Sequence, residues 1–327
     1  MNELRDNKKK AMIIGISGQD GSYLAELLLK EGYDVFGTSR DAELNRFHNL
    51  KKLGIYKGVK LLSVSITDFR SMYQCIQDIN PQELYNLAGQ SSVGLSFNQP
   101  HETYQSIIYG TLNCLEAIRI INKDIRYYNA CSSECFGDTN SIPASEITAF
   151  SPQSPYAVAK ASAYWTTENY RQSYDLFACS GILFNHESPL RPRRFVTQKI
   201  VSGAIAISRG EKEFLELGNI DIKRDWGWAP EYVRAMHLMI QGKKPEDFVV
   251  ATGVSHSIKD FLEETFSYFG LDWSLYVKKS SDLSRPNDLR VNSANPSRAK
   301  NILGWQASFG LKDIVREMIE SRLNNLS

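Results

Sequence analysis

What this sequence has little of narrows it first. Its 38 Lys and Arg against 37 Asp and Glu leave a net charge of +1, so no broad field of one sign exists to draw nucleic acid or an acidic membrane surface. No apolar run approaches the ~20 residues that a membrane-spanning helix needs. The cysteines number five, at positions 75, 114, 131, 135 and 179. Odd in number and scattered, they exclude the disulfide framework of a small secreted domain and suit a reducing cytoplasm. The opening MNELRDNKKK is charged and runs straight into a strand pattern, which reads as a solvated tail over 1–10 rather than a secretory signal. Internal repeats, low-complexity tracts and long linkers are also missing. What remains is a chain of 327 residues, ample for a substantial core in one large α/β domain or two smaller ones.

The first half alternates β-rich runs with helical patterns. AMIIGI reads as a buried strand, and SYLAELLLKEG as a helix with Leu24, Leu27 and Leu28 on one face and Gly32 as its stop. YDVFGTSR, VKLLSVSI, ELYNLA, IRYYNACSS and FACSGILF read as further strands, separated by helices from about Asp68, through GTLNCLEAIRII and through YAVAKASAYWTTENYRQSY. Repeated βα units of this kind predict a doubly wound parallel sheet, Rossmann-like, over 11–184. From about Asn185 the rhythm breaks: HESPLRPRRF and GNIDIKRDWGW read as binding loops among short helices and strands such as FVVATG. The expectation for 185–327 is a smaller, mixed α/β substrate-binding lobe, interleaved with some elements of the first and ending on LKDIVREMIESRL.

The loop GISGQDGSYL sets Gly15, Gly18 and Gly21 between the first strand and first helix. A dinucleotide pyrophosphate needs that arrangement: a tight turn, close backbone approach and a helix N-terminus facing the anion. At the end of the second strand, TSRD places Arg40, which suits the 2′-phosphate of NADP, beside Asp41, which suits NAD. The balance favours NADP, with NAD the alternative.

SPYAVAK carries Tyr156 and Lys160 four residues apart, on one face of a helix. An ammonium beside a phenol lowers the phenol's pKa and lets it exchange protons with a sugar hydroxyl near neutrality. Ser132 stands at the C-terminal edge of the preceding strand, where ligands of doubly wound sheets bind. Two residues on, Glu134 invites three readings: a solvated loop charge, a metal ligand beside Cys131 and Cys135, or a base. The two cysteines lack the CxxC pair or histidine cluster of a metal centre. They read better as small apolar fillers, and no metal is expected.

Together these features resemble the short-chain dehydrogenase/reductases in their extended form. Within that superfamily GISGQDGSYLAELLL, YNLAGQSSVGLSF, SSECFG, SPYAVAK, GILFNHESP, FVTQKI, KRDWGWAPEYVRAM, ATGVSHS and LGWQASFGLKDIVREMI resemble the GDP-mannose 4,6-dehydratase family over nearly the whole chain. The resemblance implies a lyase that oxidises C4 of a GDP-hexose, eliminates water across C5 and C6, and reduces C6. Its catalytic set would be Ser132, Glu134, Tyr156 and Lys160, with Glu134 the base at C5. The cofactor would meet Gly15, Ser17, Gly18, Gln19, Asp20, Gly21, Arg40, Leu87, Ala88, Tyr156, Lys160, His186 and Arg191. Ser92, Asn185, Lys199, Arg224, Arg285 and Asp288 would hold the nucleotide sugar, the basic ones by charge-assisted contacts to phosphate oxygens. Trp226 and Trp228 are expected to stack on a base or to close a core, with core packing assigned to at least one, and His237 and His256 to be structural. A cytoplasmic homodimer or homotetramer follows from the same resemblance, with neither nucleic acid nor membrane as a partner. Its alternatives are a related GDP-sugar such as a heptose, arrest at C4 oxidation or epimerisation, and a dinucleotide-binding sensor, which the presence of both Tyr156 and Lys160 disfavours.

Overall fold

Strands β1 (Lys10–Ile14) and β4 (Glu83–Asn86) expose almost no side chain, the mark of strands covered on both faces. They belong to a computed structural model that describes residues 8–140, 142–280 and 287–324. Between them run α1 (Gln19–Lys30), β2 (Asp34–Ser39), α2 (His48–Lys52), β3 (Val59–Ser63) and α3 (Phe69–Ile79). After β4 come α4 (Val93–Asn98), α5 (Pro100–Tyr104), α6 (Gly110–Ile121), β5 (Arg126–Ser132), α7 (Pro155–Tyr174) and β6 (Ala178–Leu183). The chain then forms β7 (Asn185–Glu187), α8 (Val196–Ser208), β8 (Leu215–Leu217), β9 (Lys223–Trp228), α9 (Ala229–Gln241), β10 (Phe248–Val250), β11 (Ser255–Ser257), α10 (Ile258–Ser267), β12 (Val277–Lys279), β13 (Val291–Asn292) and α11 (Leu311–Leu323).

Two compact units result. One holds Met1–Cys135, Pro152–Ile182 and Val233–Phe248; the other holds Phe136–Ser151, Leu183–Tyr232 and Val249–Ser327. The seven-stranded sheet runs β10-β6-β5-β4-β1-β2-β3, parallel at β1 with β2 and β4, at β2 with β3, and at β4 with β5. Strand order therefore reverses between β1 and β4, and the ends of those two strands frame the switch point where doubly wound sheets take their ligands.

Local signals explain the helices that flank it. The α1 helix buries Leu24, Ala25 and Leu28 and stops at Gly32, whose φ of +84° suits glycine. There the Tyr33 N–H returns to the Leu28 carbonyl and the Gly32 N–H to Leu29. At α3 the Asp68 carboxylate accepts from the N–H groups of Arg70 and Ser71, an N-cap where the sequence begins this helix. Met72, Ile76, Leu84, Leu115, Ile118 and Tyr127 then close one core of this unit.

The second unit has its own core, in which α8, α10 and α11 cover β8 and β9. Trp226 meets Phe261 edge-on at 5.5 Å, and Trp228 stacks on Phe309 at 5.4 Å, so both tryptophans are core residues. GNIDIKRDWGW, expected as a loop, instead supplies β9, which pairs with β7, β11 and β13. Those partners lie far along the chain, and nothing local announces them.

Candidate active site

Immediately beyond β1 the chain turns on Gly15, whose φ is +89° and where a Cβ would lie 2.9 Å from the Ala88 amide nitrogen. Both facts demand glycine. At Gly21 a Cβ would overlap the Gly15 carbonyl, so the loop folds tightly onto itself. Gly18 is the N-cap of α1 and offers no side-chain oxygen to its first turn. Gln19 donates to the Asp20 carboxylate at 3.0 Å, and Asn49 of α2, which sequence reasoning missed, donates to the Ser17 carbonyl at 3.1 Å. The Leu87 N–H bonds the Ile14 carbonyl at 3.0 Å and brings Leu87 and Ala88 beside the loop. A helix end capped by bare backbone, lined with glycine and set at the switch point, fits a pyrophosphate.

At the end of β2, Arg40 is 81% exposed and reaches Glu102 at 3.4 Å, an ion pair that solvent makes weak. The Asp41 carboxylate accepts from the N–H groups of Glu43 and Leu44 at 3.0 and 2.8 Å. It is committed to its own turn. Ser92, for its part, caps the short α4 by accepting from Leu95 at 3.3 Å.

The four expected catalytic residues all lie in the first unit, on β5, the turn after it, and α7. Ser132 closes β5 and is buried; its hydroxyl accepts from the Glu134 N–H at 3.3 Å. Glu134 is half-buried, on a single 3₁₀ turn, Ser133–Phe136. Ser154 starts α7 by accepting from Ala157 at 3.1 Å, with Pro155 at the first position, both good starting signals. One turn on, Tyr156 and Lys160 share a face.

Their electrostatics differ from the simple expectation. Lys160 is buried, its Nζ donates to the Ala130 carbonyl at 2.7 Å, and burial pulls its pKa down. Its Nζ lies 5.9 Å from the centre of the Tyr156 ring. Burial pushes the Tyr156 phenol up, the hydrogen bond from Ser132 pulls it part of the way back, and the Glu134 carboxylate adds to the rise. The ammonium is tied to a strand carbonyl, and Ser132 is the group that opposes the rise of the phenol. Asp20, in the first turn of α1, favours the charged form of Lys160, which links the glycine loop electrically to the Tyr–Lys helix.

The remaining expected residues belong to the second unit, except Arg285, which lies outside the described residues. Asn185 opens β7 and is half-buried. His186 stacks on Tyr232 with ring centres 4.6 Å apart and sets Nδ1 2.8 Å from the Phe184 carbonyl. Arg191 lies over the Phe195 ring at 3.9 Å and 3.5 Å from Glu187. Lys199, on α8, is pulled below the usual lysine range by burial, with Lys212 adding to it. Arg224 is buried, donates to the Lys223 and Leu289 carbonyls at 2.9 Å each, and meets Asp288 at 3.2 Å. Two residues expected to hold different parts of a nucleotide are thus paired with each other. His256 faces Arg224 across β11 and β9. The Cys131 and Cys135 sulfurs are 3.7 Å apart, and among the described residues no group of three or more His, Cys, Asp or Glu could hold a metal ion.

A family model described as GDP-mannose 4,6 dehydratase matches residues 12–318. GDP-mannose 4,6 dehydratase 1 of Arabidopsis thaliana is 44% identical, covering 97% of this chain and 90% of its own. The GDP-mannose 4,6-dehydratase of Vibrio cholerae is 41% identical, covering 97% and 94%. In fold, the chain is similar to a UDP-glucose 4-epimerase from Thermotoga maritima solved with UDP-glucose (TM-score 0.86, 22% identity, 97% of this chain and 100% of that one). It is also similar to a dTDP-glucose 4,6-dehydratase from Streptomyces venezuelae with NAD and TYD bound (TM-score 0.84, 19% identity, 96% and 98%). With a match over nearly its full length, this chain belongs to the GDP-mannose 4,6-dehydratase family.

Proposed function

We propose that this chain is a lyase that dehydrates GDP-mannose to GDP-4-keto-6-deoxymannose. The observation that carries the reading is Glu134 held on one turn after Ser132, with Tyr156 in electrostatic reach of both. A bound nicotinamide dinucleotide supplies reversible hydride exchange with the sugar. Tyr156 takes the proton of the C4 hydroxyl as C4 becomes a ketone, and Ser132 keeps that phenol poised. The ketone acidifies the C5 proton, Glu134 removes it, and the C6 hydroxyl takes a proton and leaves as water with Ser132 assisting. The hydride removed from C4 would then return to C6 and a proton to C5, giving the 6-deoxy sugar. An enzyme that only oxidised C4 would have no use for Glu134. Positioned acid–base groups of this kind give about two to four orders of magnitude in rate.

NADP is the cofactor we assign, because the Asp41 carboxylate is engaged in its own turn while Arg40 is exposed at the strand end. Asn185, His186, Arg191, Lys199, Arg224, Arg285, Asp288 and Ser92 keep their proposed binding roles. Exposed apolar side chains on α6 and α7 and on the turn before α6, notably Trp165 at 56% and Tyr109 at 57%, support a homo-oligomer joined along those helices. A reducing, cytoplasmic setting suits the five free thiols.

The test supplies GDP-mannose with a substoichiometric amount of NADP and follows the sugar nucleotide by mass spectrometry. Product lighter by one water, in excess over the cofactor and with no net cofactor reduction, is expected. Oxidised sugar formed only in step with reduced cofactor would replace the dehydratase by a dehydrogenase.

A further inference from the structure

The mechanism above makes no use of Cys131 and Cys135, yet no side chains lie closer to its working parts in sequence. Cys131 precedes Ser132, and Cys135 follows Glu134. Both are buried, at 3% and 0% exposure, with sulfurs 3.7 Å apart. The Cys135 thiol points at the Ala157 carbonyl, 3.7 Å away, and the Cys131 thiol at the Lys160 carbonyl, 3.9 Å away. Those carbonyls lie about one turn apart on α7, one beside Tyr156 and the other on Lys160 itself. The two thiols are therefore a layer between the strand end carrying Ser132 and Glu134 and the helical turn carrying Tyr156 and Lys160.

Their supports differ. Cys131 sits in β5, where the parallel ladder fixes the backbone from Arg126 to Asn129. Cys135 sits in a four-residue 3₁₀ turn, a short and weakly determined element, and its thiol reaches across to α7. Ser132 takes its place from the strand. Glu134 takes its place from the turn.

We propose that Cys135, seated on Cys131, is a positioning residue that holds Glu134 in register with Tyr156 and thereby serves the elimination at C5 and C6 rather than the oxidation at C4. A thiol is a weak donor, so its contribution is chiefly placement, and reacting groups must be held to within about 0.5 Å. This inference rests on the dehydratase reading.

The test separates the two steps in a single turnover with GDP-mannose and NADP. C4 oxidation is read as the appearance of reduced cofactor, and elimination as loss of one water with deuterium entering C5 from heavy water, followed by disappearance of the reduced cofactor as hydride returns to C6. In Cys135→Ala, elimination slows about tenfold to a hundredfold, the scale of an ångström-sized misplacement. Oxidation and the KM for GDP-mannose stay within about twofold, so reduced cofactor accumulates. Cys135→Ser, which restores a donor toward Ala157, recovers most of the elimination rate, whereas Cys131→Ala slows both steps modestly and together. The ratio of the two rates is independent of the fraction folded, so a destabilised variant still reports. Equal loss of both steps in Cys135→Ala, or loss of neither, overturns the proposal and leaves the pair as core filler. A wild-type protein that oxidises C4 and never eliminates refutes the dehydratase reading instead.

Discussion

The two ends of the seven-stranded sheet both set an acid near tyrosine, and they use the pair in opposite ways. At the N-terminal edge, Glu83 is 2% exposed and accepts from the Tyr33 hydroxyl at 2.9 Å, the Tyr85 hydroxyl at 2.8 Å and the Gln241 amide at 2.8 Å. Beside it Arg126 donates to the Ile240 and Gly242 carbonyls at 2.7 and 2.9 Å, closing the end of α9. Burial first, then Glu83, keeps both phenols protonated and therefore donating. At the C-terminal edge, Glu134 is half-buried on one turn, and burial raises the phenol of Tyr156 while the hydrogen bond from Ser132 opposes that rise only in part. A buried ionisable group is therefore no signature of a site by itself. Saturation by several fixed donors marks structure; an acid on a short turn at the ligand-binding edge of the sheet marks chemistry.

That contrast breaks most visibly at Glu134. Glu134→Gln keeps the shape and removes the base. Turnover should fall by about two to four orders of magnitude, while dinucleotide binding and the unfolding midpoint hold. Steady-state rates, a cofactor titration and a denaturant melt check the three parts. Full turnover in the variant would put the C5 base elsewhere.

The reverse substitution belongs to the other edge. Glu83→Ala leaves two buried hydroxyls and an amide without their acceptor. Unfolding free energy should drop by about 3 kcal/mol or more, and turnover per folded molecule should stay within about twofold of wild type. Denaturant melts paired with active-site titration read both. A loss of turnover without loss of stability would abolish the division between the edges.

The sequence exposes these two edges unequally, for a physical reason. The catalytic set is compact in the chain: the glycine loop spans one turn, Ser132 and Glu134 are two apart, and Tyr156 and Lys160 are one helical turn apart. Motifs of that length can be recognised, as can the helix start near Asp68 and the Gly32 stop. The Glu83 network draws on positions 33, 83, 85, 237 and 241, which only the folded sheet brings together. Long-range pairing also hid β9 behind a loop-like composition. It also buries Arg224 against the Leu289 carbonyl and Asp288, a setting that the residue's place in a motif does not reveal. The same limit explains Lys160: its spacing from Tyr156 was legible, whereas its bond to the Ala130 carbonyl depends on how α7 lies along β5.

A smaller effect sharpens the chemical edge. Arg40 is 81% exposed and, among the described residues, pairs with Glu102 at 3.4 Å. Arg40→Ala should weaken NADP about tenfold, near 1.4 kcal/mol, and leave NAD unchanged. Fluorescence titration with the two dinucleotides decides it, and equal loss for both would remove Arg40 from 2′-phosphate recognition.

The smallest effect is a slope at the structural edge. Tyr85 spends its one proton on Glu83, so the 3.2 Å contact with His237 Nδ1 requires that nitrogen to carry the hydrogen and donate. Tyr33 meets the same imidazole edge-on at 5.8 Å. Burial, assisted by Lys9, holds the pKa of His237 below its ordinary 6.5, against the pull of Glu83 and Glu31. The unfolded chain therefore takes up a proton as pH falls through 6.5 while the folded chain declines it. The stability due to this group is complete above about 6.5 and is lost as pH falls toward the lower, folded value. Its slope has a ceiling of about 1.4 kcal/mol per pH unit for one proton, reduced by the partial exposure of the ring. Denaturant melts of wild type and His237→Asn between neutral and mildly acid pH isolate it: the variant should lose that slope and keep the pH profile of turnover. A variant that moved the turnover profile would carry the titration of one edge to the other and end the separation between them.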